Sequence, residues 1–328
     1  MDHRLTGRHL KFAAWFALSI AIVACTVPAA AFDLQGHRGT RGLAPENTLA
    51  AFQRALDLGV TTLETDVAVT RDGVLVISHD PFLNPDIVRD PDGAWLAAKG
   101  PAVHALTLAE LKRYDIGRLN PASAYAKQFP MQQAADGQRF PTLVEVFALS
   151  ASNRVRFNIE TKITPTSGDE TPEPAAFARL VVEAIREAEL TQRVTVQSFD
   201  WRTLIEVKRL APGIATACLT IETPNNDTVQ RQAATPSPWH AGLGLAQHGG
   251  SVPRLVKAAG CGTWSMFWRN LTPELLAEAQ GLGLKVLPWT VNEPADMARL
   301  IDWRVDGIIT DYPDRLRKVM AEKGMALP

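Results

Sequence analysis

In Thr62-Leu63-Glu64-Thr65-Asp66-Val67-Ala68-Val69-Thr70, the residues Leu63, Val67 and Val69 fall on one side of an extended chain and Glu64 and Asp66 on the other. That period of two predicts a strand with a covered apolar face and two carboxylates opposite it, about 6–7 Å apart along the backbone. Working outward, β-type runs recur at Leu34–Gly39, Val74–His79, Arg156–Lys162, Val194–Phe199, Ile214–Thr220, Gly262–Phe267, Lys285–Val291 and Gly307–Thr310. Helical patterns lie between them at Thr48–Leu58, Thr142–Leu149, Ala175–Leu190, Trp201–Leu210, Val252–Ala259, Pro273–Gln280, Pro294–Ile301 and Asp314–Lys323. Such alternation implies a parallel sheet, either doubly wound or closed into a barrel. No Gly-x-Gly-x-x-Gly follows the first run and no P-loop lysine occurs, so a nucleotide-binding sheet loses its main support. A (β/α)8 TIM barrel of about 250 residues is the better fit.

The chain has 328 residues, 46% of them apolar, with 34 Lys and Arg against 35 Asp and Glu. The apolar fraction excludes a disordered chain. The even charge excludes the basic surplus of a nucleic-acid binder. Three cysteines, Cys25, Cys218 and Cys261, are too few for a disulfide scaffold or a zinc ribbon. Arg4, Arg8 and Lys11, the apolar stretch Phe12–Ala24, Pro28 and Ala29-Ala30-Ala31 have the layout of a secretory signal peptide over residues 1–31. Cleavage before Phe32 would release a mature chain, residues 32–328, with no transmembrane helix, to the periplasm or the exterior. Ile22-Val23-Ala24-Cys25 offers the alternative of a lipoprotein anchored through Cys25. Either route leaves Cys218 and Cys261 where they can pair if their geometry allows. Residues 81–140 break the strand–helix rhythm with scattered Pro and Gly, and read as an insertion after the second strand, over the face where barrel chemistry is built.

Polar residues of unusual type end several runs. In Asn158-Ile159-Glu160-Thr161-Lys162, Asn158, Glu160 and Lys162 share one face. A buried Glu and Lys there need a partner or an ion, which makes Glu160 a third metal ligand beside Glu64 and Asp66. Carboxylate oxygens favour one divalent cation, Ca2+ or Mg2+, over zinc. Gln35-Gly36-His37-Arg38-Gly39 sets His37 and Arg38 side by side; both face one ligand only if the chain leaves the strand there, as Gly39 permits. A second histidine, His79, ends Val76-Ile77-Ser78-His79. Glu64, Asp66 and Glu160 against Arg38 and Lys162 leave one net negative charge. A divalent ion turns that into one positive charge, matched to a phosphodiester, with His37 and His79 as general base and general acid.

The segments His37-Arg38-Gly39, Pro45-Glu46-Asn47-Thr48, Glu64-x-Asp66, Asp72-Gly73, His79-Asp80, Pro141-Thr142-Leu143-x-Glu145 and Asp306-Gly307-Ile308-Ile309-Thr310-Asp311-x-Pro313 occur in the order seen in glycerophosphodiester phosphodiesterases, which the chain resembles over roughly residues 34–315. The resemblance implies a TIM barrel with a small insertion after the second strand. It also implies metal-dependent hydrolysis of small glycerophosphodiesters to glycerol 3-phosphate and an alcohol. On it, His37 and His79 are the catalytic pair and Glu64, Asp66 and Glu160 the metal ligands. Arg38 and Lys162 hold the phosphate, and Trp289 lies near the substrate. Glu46 is a carboxylate behind the site, with Asn47 or Thr48 capping the helix that follows. Gln197-Ser198-Phe199 and Asp311 match family positions without separate roles. The alternative is a lipid phosphodiesterase of the sphingomyelin phospholipase D-like barrel type. That reading wants an exposed apolar rim, whereas Trp264, Phe267 and Trp268 are more simply read as core.

Overall fold

The computed structural model describes residues 1–2 and 32–328; residues 3–31, on which the expected signal peptide and the Cys25 anchor fall, lie outside the described residues. Eight parallel strands form the barrel: β1 (Asp33–Gly36), β2 (Thr62–Val69), β3 (Arg156–Thr161), β4 (Val194–Ser198), β5 (Ala215–Thr220), β6 (Thr263–Met266), β7 (Lys285–Val286) and β8 (Gly307–Thr310). They are hydrogen-bonded in the order β7-β6-β5-β4-β3-β2-β1-β8. Backbone bonds from Asp306 to Val286 (3.1 Å) and from Ile309 to Pro288 (3.1 Å) bring β7 against β8 and close the ring. The helices are α1 (Leu49–Asp57), α2 (Leu143–Ala148), α3 (Pro174–Glu187), α4 (Trp201–Leu210), α5 (Val252–Ala258), α6 (Pro273–Gly281), α7 (Pro294–Asp302) and α8 (Pro313–Glu322). The fold is a (β/α)8 TIM barrel with an insertion after the second strand.

Local chemistry sets the helix starts. Pro174, Pro253, Pro273, Pro294 and Pro313 each occupy the first turn of a helix, where the missing N–H costs nothing and the fixed φ is already helical. Thr48 caps α1 by accepting from the amide of Ala51 at 3.1 Å, which leaves Asn47 free for other work. Leu63, Val67 and Val69 of β2 enter the main apolar core between sheet and helices, as the alternation predicted. The barrel interior is polar instead: Asn158 donates to Gln35 (2.9 Å) and Gln197 (3.0 Å) across the ring.

Two expected strands differ. The run Val74–His79 is strand only over Leu75–Ile77, and it pairs antiparallel with β2 rather than joining the barrel. Gly73, at φ 80°, makes the tight turn between them. Period and propensity mark a strand but do not name its partner. The run Lys285–Val291 is regular only over Lys285–Val286, because Pro288 has no N–H to give the ladder. Leu287 and Trp289 nevertheless still bond to β6. The insertion that follows the hairpin contains one short helix, Leu108–Leu111, and two 3-10 turns. It packs Leu83, Val88, Val103, Leu111, Ile116 and Phe140 with Ala68 and Val76 into a second, smaller core. Of the three aromatics, Trp264 is buried in the core, Trp268 is half-buried and packs against that core, and Phe267 is half-buried at the strand end, so core packing accounts for two of them.

Cys218 of β5 and Cys261, just before β6, form a disulfide between two buried positions with Cα atoms 5.9 Å apart. Reduction, or Cys218→Ala with Cys261→Ala, is expected to lower stability by about 2–4 kcal/mol, read from urea unfolding.

His240 lies in the long connection between β5 and α5, buried and stacked on Trp201 at 4.3 Å, with neither ring nitrogen hydrogen-bonded. Burial lowers it to about 4. The unfolded chain, titrating near 6.5, therefore binds the proton more tightly than the folded one. Stability from this group is full above about pH 6.5 and falls as the pH drops toward 4, by about 3 kcal/mol at most. His240→Phe is expected to flatten that part of the stability profile.

Candidate active site

β1 ends at Gly36, and the backbone turns out of the strand with Arg38 at φ 48° and Gly39 at φ 84°. A Cβ on Gly36 would meet the carbonyl oxygen of Gly39 at 2.2 Å, so only glycine lets the chain fold back this closely. The turn places His37 and Arg38, adjacent in sequence, on one site. The Arg38 amide donates to Glu64 Oε2 at 2.9 Å. The Arg38 guanidinium donates to Glu46 Oε1 at 2.5 Å and lies 3.3 Å from Asp66 Oδ2.

Glu64 and Asp66 from β2 and Glu160 from β3 each offer one oxygen, and these lie within 4.8 Å of one another. All three residues are buried. At that separation each pair of charges repels by roughly 3 kcal/mol at an effective dielectric near 20. Burial and the neighbouring Asp66 push Glu64 well above the usual carboxylate range. Burial likewise raises Glu160, although Lys162 opposes it from 2.7 Å. Burial also works against ionised Asp66, but Lys162 and Arg38 outweigh it and hold that carboxyl low. The group is therefore short of positive charge, and its oxygens are already aimed. Gln197 donates to Glu64 Oε1 at 2.8 Å and Asn47 to Asp66 Oδ2 at 2.9 Å. Oxygen donors held by a ring of hydrogen bonds form a group that could hold a metal ion.

Both histidines are fixed from behind. His37 Nδ1 meets Asp311 Oδ1 at 2.7 Å, and Arg41 grips the same carboxylate through Nε (2.7 Å) and Nη2 (3.0 Å). His79 Nδ1 meets Asp80 Oδ1 at 3.0 Å, while Asn84 holds the other Asp80 oxygen at 2.6 Å. A carboxylate on Nδ1 favours the tautomer protonated there, and His37 Nε2 lies 4.0 Å from Glu64 Oε2. Burial, with help from Arg41, lowers His37 to about 4. Burial and Arg38 lower His79 as well.

His37, Glu64, His79, Glu160, Lys162 and Gln197 line one open cavity together with the apolar Phe199, Leu219, Trp289 and Ile309. Phe199 meets Trp289 edge to face at 5.4 Å. The residues singled out in the sequence are thus gathered in one place: His37, His79, Glu64, Glu160, Lys162 and Trp289 border the cavity, and Asp66 and Arg38 stand immediately behind. Glu46 touches Arg38 rather than the carboxylate group. Asn47 is not a helix cap but a ligand of Asp66, accepting in turn from Thr65 at 3.2 Å. Arg41 and Tyr125 carry no motif and were missed. Asp311 and Gln197 sit in recognised segments, but their contacts cross the barrel and have no trace in local spacing, whereas Asp80 meets the histidine beside it in the chain.

A parallel barrel with a buried carboxylate group at the ends of two strands, and histidines from the turn after β1 and the hairpin after β2 beside it, has the layout of a TIM-barrel enzyme. Residues 37–315 match the glycerophosphoryl diester phosphodiesterase family, and the chain belongs to that family. It is 32% identical over 290 residues to the glycerophosphodiester phosphodiesterase of Caldanaerobacter subterraneus subsp. tengcongensis, covering 88% of this chain and 97% of that protein. A solved structure from Silicibacter pomeroyi, assigned as a glycerophosphoryl diester phosphodiesterase, is 34% identical with a TM-score of 0.80, covering 90% of this chain and 95% of that one. An Oleispira antarctica phosphodiesterase, solved with the product sn-glycerol-3-phosphate, shares the fold at 23% identity and a TM-score of 0.63, covering 88% and 96%. The chain is an enzyme, a glycerophosphodiester phosphodiesterase. Among the described residues no helix is long and apolar enough to cross a membrane.

The electrostatics of the carboxylate group can be checked without turnover. Added Mg2+ or Ca2+ is expected to raise the melting temperature in proportion to the logarithm of its concentration above Kd. Glu160→Gln is expected to remove most of that rise.

Proposed function

We propose that the chain hydrolyses small glycerophosphodiesters to glycerol 3-phosphate and an alcohol, with His37 and His79 as the acid–base pair and Glu64, Asp66 and Glu160 holding one divalent cation, Ca2+ or Mg2+. The observation that carries this reading is a pair of histidines, each with Nδ1 fixed on a carboxylate, flanking the acidic group in one cavity. The cation would supply charge to offset the phosphoryl oxygens. Arg38 and Lys162 hold the phosphate from the side of the acidic group, and both keep their protons because carboxylates surround them. One neutral imidazole takes a proton from the nucleophile, either water or the substrate's own glycerol hydroxyl by way of a cyclic phosphate. The other is charged by the bound anion and delivers a proton to the departing alcohol. Trp289 and Phe199 are among the apolar residues of the cavity, against which the uncharged part of the diester rests.

Export is part of the same proposal. It is supported by the basic and apolar composition of residues 1–31 and by a disulfide of the kind that persists outside the cytosol. N-terminal sequencing of exported protein separates cleavage before Phe32 from lipidation at Cys25.

The central test is turnover of glycerophosphocholine by the mature protein with Mg2+, Ca2+ or a chelator. His37→Ala and His79→Ala are each expected to lower kcat by about 10²–10⁴. Chelation should abolish activity, and activity that survives it overturns the metal assignment. Release from sphingomyelin liposomes in preference to the soluble diester would favour the lipid reading.

A further inference from the structure

The insertion sets a phenol against the loop behind the site. Tyr125 opens the 3-10 turn Ala126–Gln128, and its hydroxyl meets Glu46 and Arg41 of the loop that follows β1. It donates to Glu46 Oε2 and accepts from Arg41 Nη1 at 3.3 Å. Glu46 passes the contact on through its other oxygen to Arg38 Nη1 at 2.5 Å, and Arg38 in turn lies 3.3 Å from Asp66. Arg41 passes it on to Asp311, which holds His37. A phenol has one proton to give and lone pairs to receive, and here one of each is used. The Phe129 ring supports the arrangement, lying 4.8 Å from the Arg41 guanidinium carbon and edge-on to Tyr125 at 5.2 Å.

We propose that Tyr125 is a positioning residue for phosphodiester cleavage: its hydroxyl ties the Arg38–Glu46 pair to the Arg41–Asp311–His37 chain, so that the group holding the phosphate and the group moving the proton keep one geometry. The inference rests on the roles proposed above for His37 and Arg38. Burial beside Glu46 pushes the phenol up, so it stays a donor at neutral pH. Tyr125 takes no part in the insertion's apolar core, which separates its hydroxyl from the packing that keeps the insertion folded. The insertion is docked independently as well: Gln132 donates to the Arg41 carbonyl at 2.8 Å, and the Gln133 amide donates to the Leu43 carbonyl at 3.0 Å. Removing the hydroxyl alone leaves Glu46 Oε2 and Arg41 Nη1 each short of a partner while the ring keeps its place.

The test compares wild type, Tyr125→Phe and Gln132→Ala as mature proteins in saturating Mg2+, with glycerophosphocholine as substrate. Tyr125→Phe is expected to lower kcat/KM by roughly 10- to 100-fold, shared between a lower kcat and a higher KM. Its dissociation constant for inorganic phosphate, measured by calorimetry, should rise about fivefold or more, with the melting temperature within about 2 °C of wild type. Gln132→Ala should stay within about twofold of wild type throughout. Wild-type kcat and KM in Tyr125→Phe overturn the proposal. So does a loss of kcat that leaves KM and phosphate affinity unchanged and follows a fall in melting temperature, since that is what a structural role gives. An equal loss in Gln132→Ala overturns it too, by assigning the effect to docking of the insertion. If wild type leaves glycerophosphocholine intact, it is the proposed function that fails, and the phosphate affinities still decide the role of Tyr125.

Discussion

Three carboxylates buried within 4.8 Å of one another cannot all be ionised at ease, and much of the site is arranged around that repulsion. Lys162 and Arg38 lean on Asp66 and Glu160, Gln197 and Asn47 pin individual oxygens, and a backbone amide from the turn after β1 holds Glu64. The helpers come from three parts of the chain: the loop between β1 and α1, the end of β3 and the strand β4. The barrel is the device that makes this possible, since parallel strands present the ends of distant segments at one rim. With a divalent ion the same arrangement becomes attractive to an anion, so affinity for the cation and affinity for a phosphodiester are aspects of one charge balance.

The histidines follow a second constraint. Each needs a fixed tautomer, and each obtains it from a carboxylate at Nδ1, but the two solutions differ. Asp80 is the chain neighbour of His79 and comes with it. Asp311 lies at the end of β8, and reaches His37 because β8 pairs with β1 in the sheet. The pairing of the last strand with the first thus sets the partner of the His37 ring.

How much of this was legible in the sequence follows from the range of each interaction. The strand faces of β2 and β3, the helices that begin with proline and the carboxylate group all rest on local periodicity, and they were readable. The direction of Leu75–Ile77 was not, because the alternation that marks a strand is the same for parallel and antiparallel pairing. The shortening of β7 has a local cause in Pro288 that ranked below the apolar pattern around it. Asn47 and Thr48 were interchangeable as caps until the site claimed Asn47. Arg41, Tyr125 and the pairing of Cys218 with Cys261 depend on contacts 43 to 270 residues apart, where spacing carries no signal.

The insertion's apolar side chains are gathered into a cluster of their own, beside the barrel core rather than within it. Leu83, Val88, Ile116 and their neighbours touch the barrel through Ala68, at the far end of the strand that carries Glu64 and Asp66. A segment with apolar packing of its own is tied to the barrel at few places, so a change in its shape reaches β2 mainly through that one small side chain.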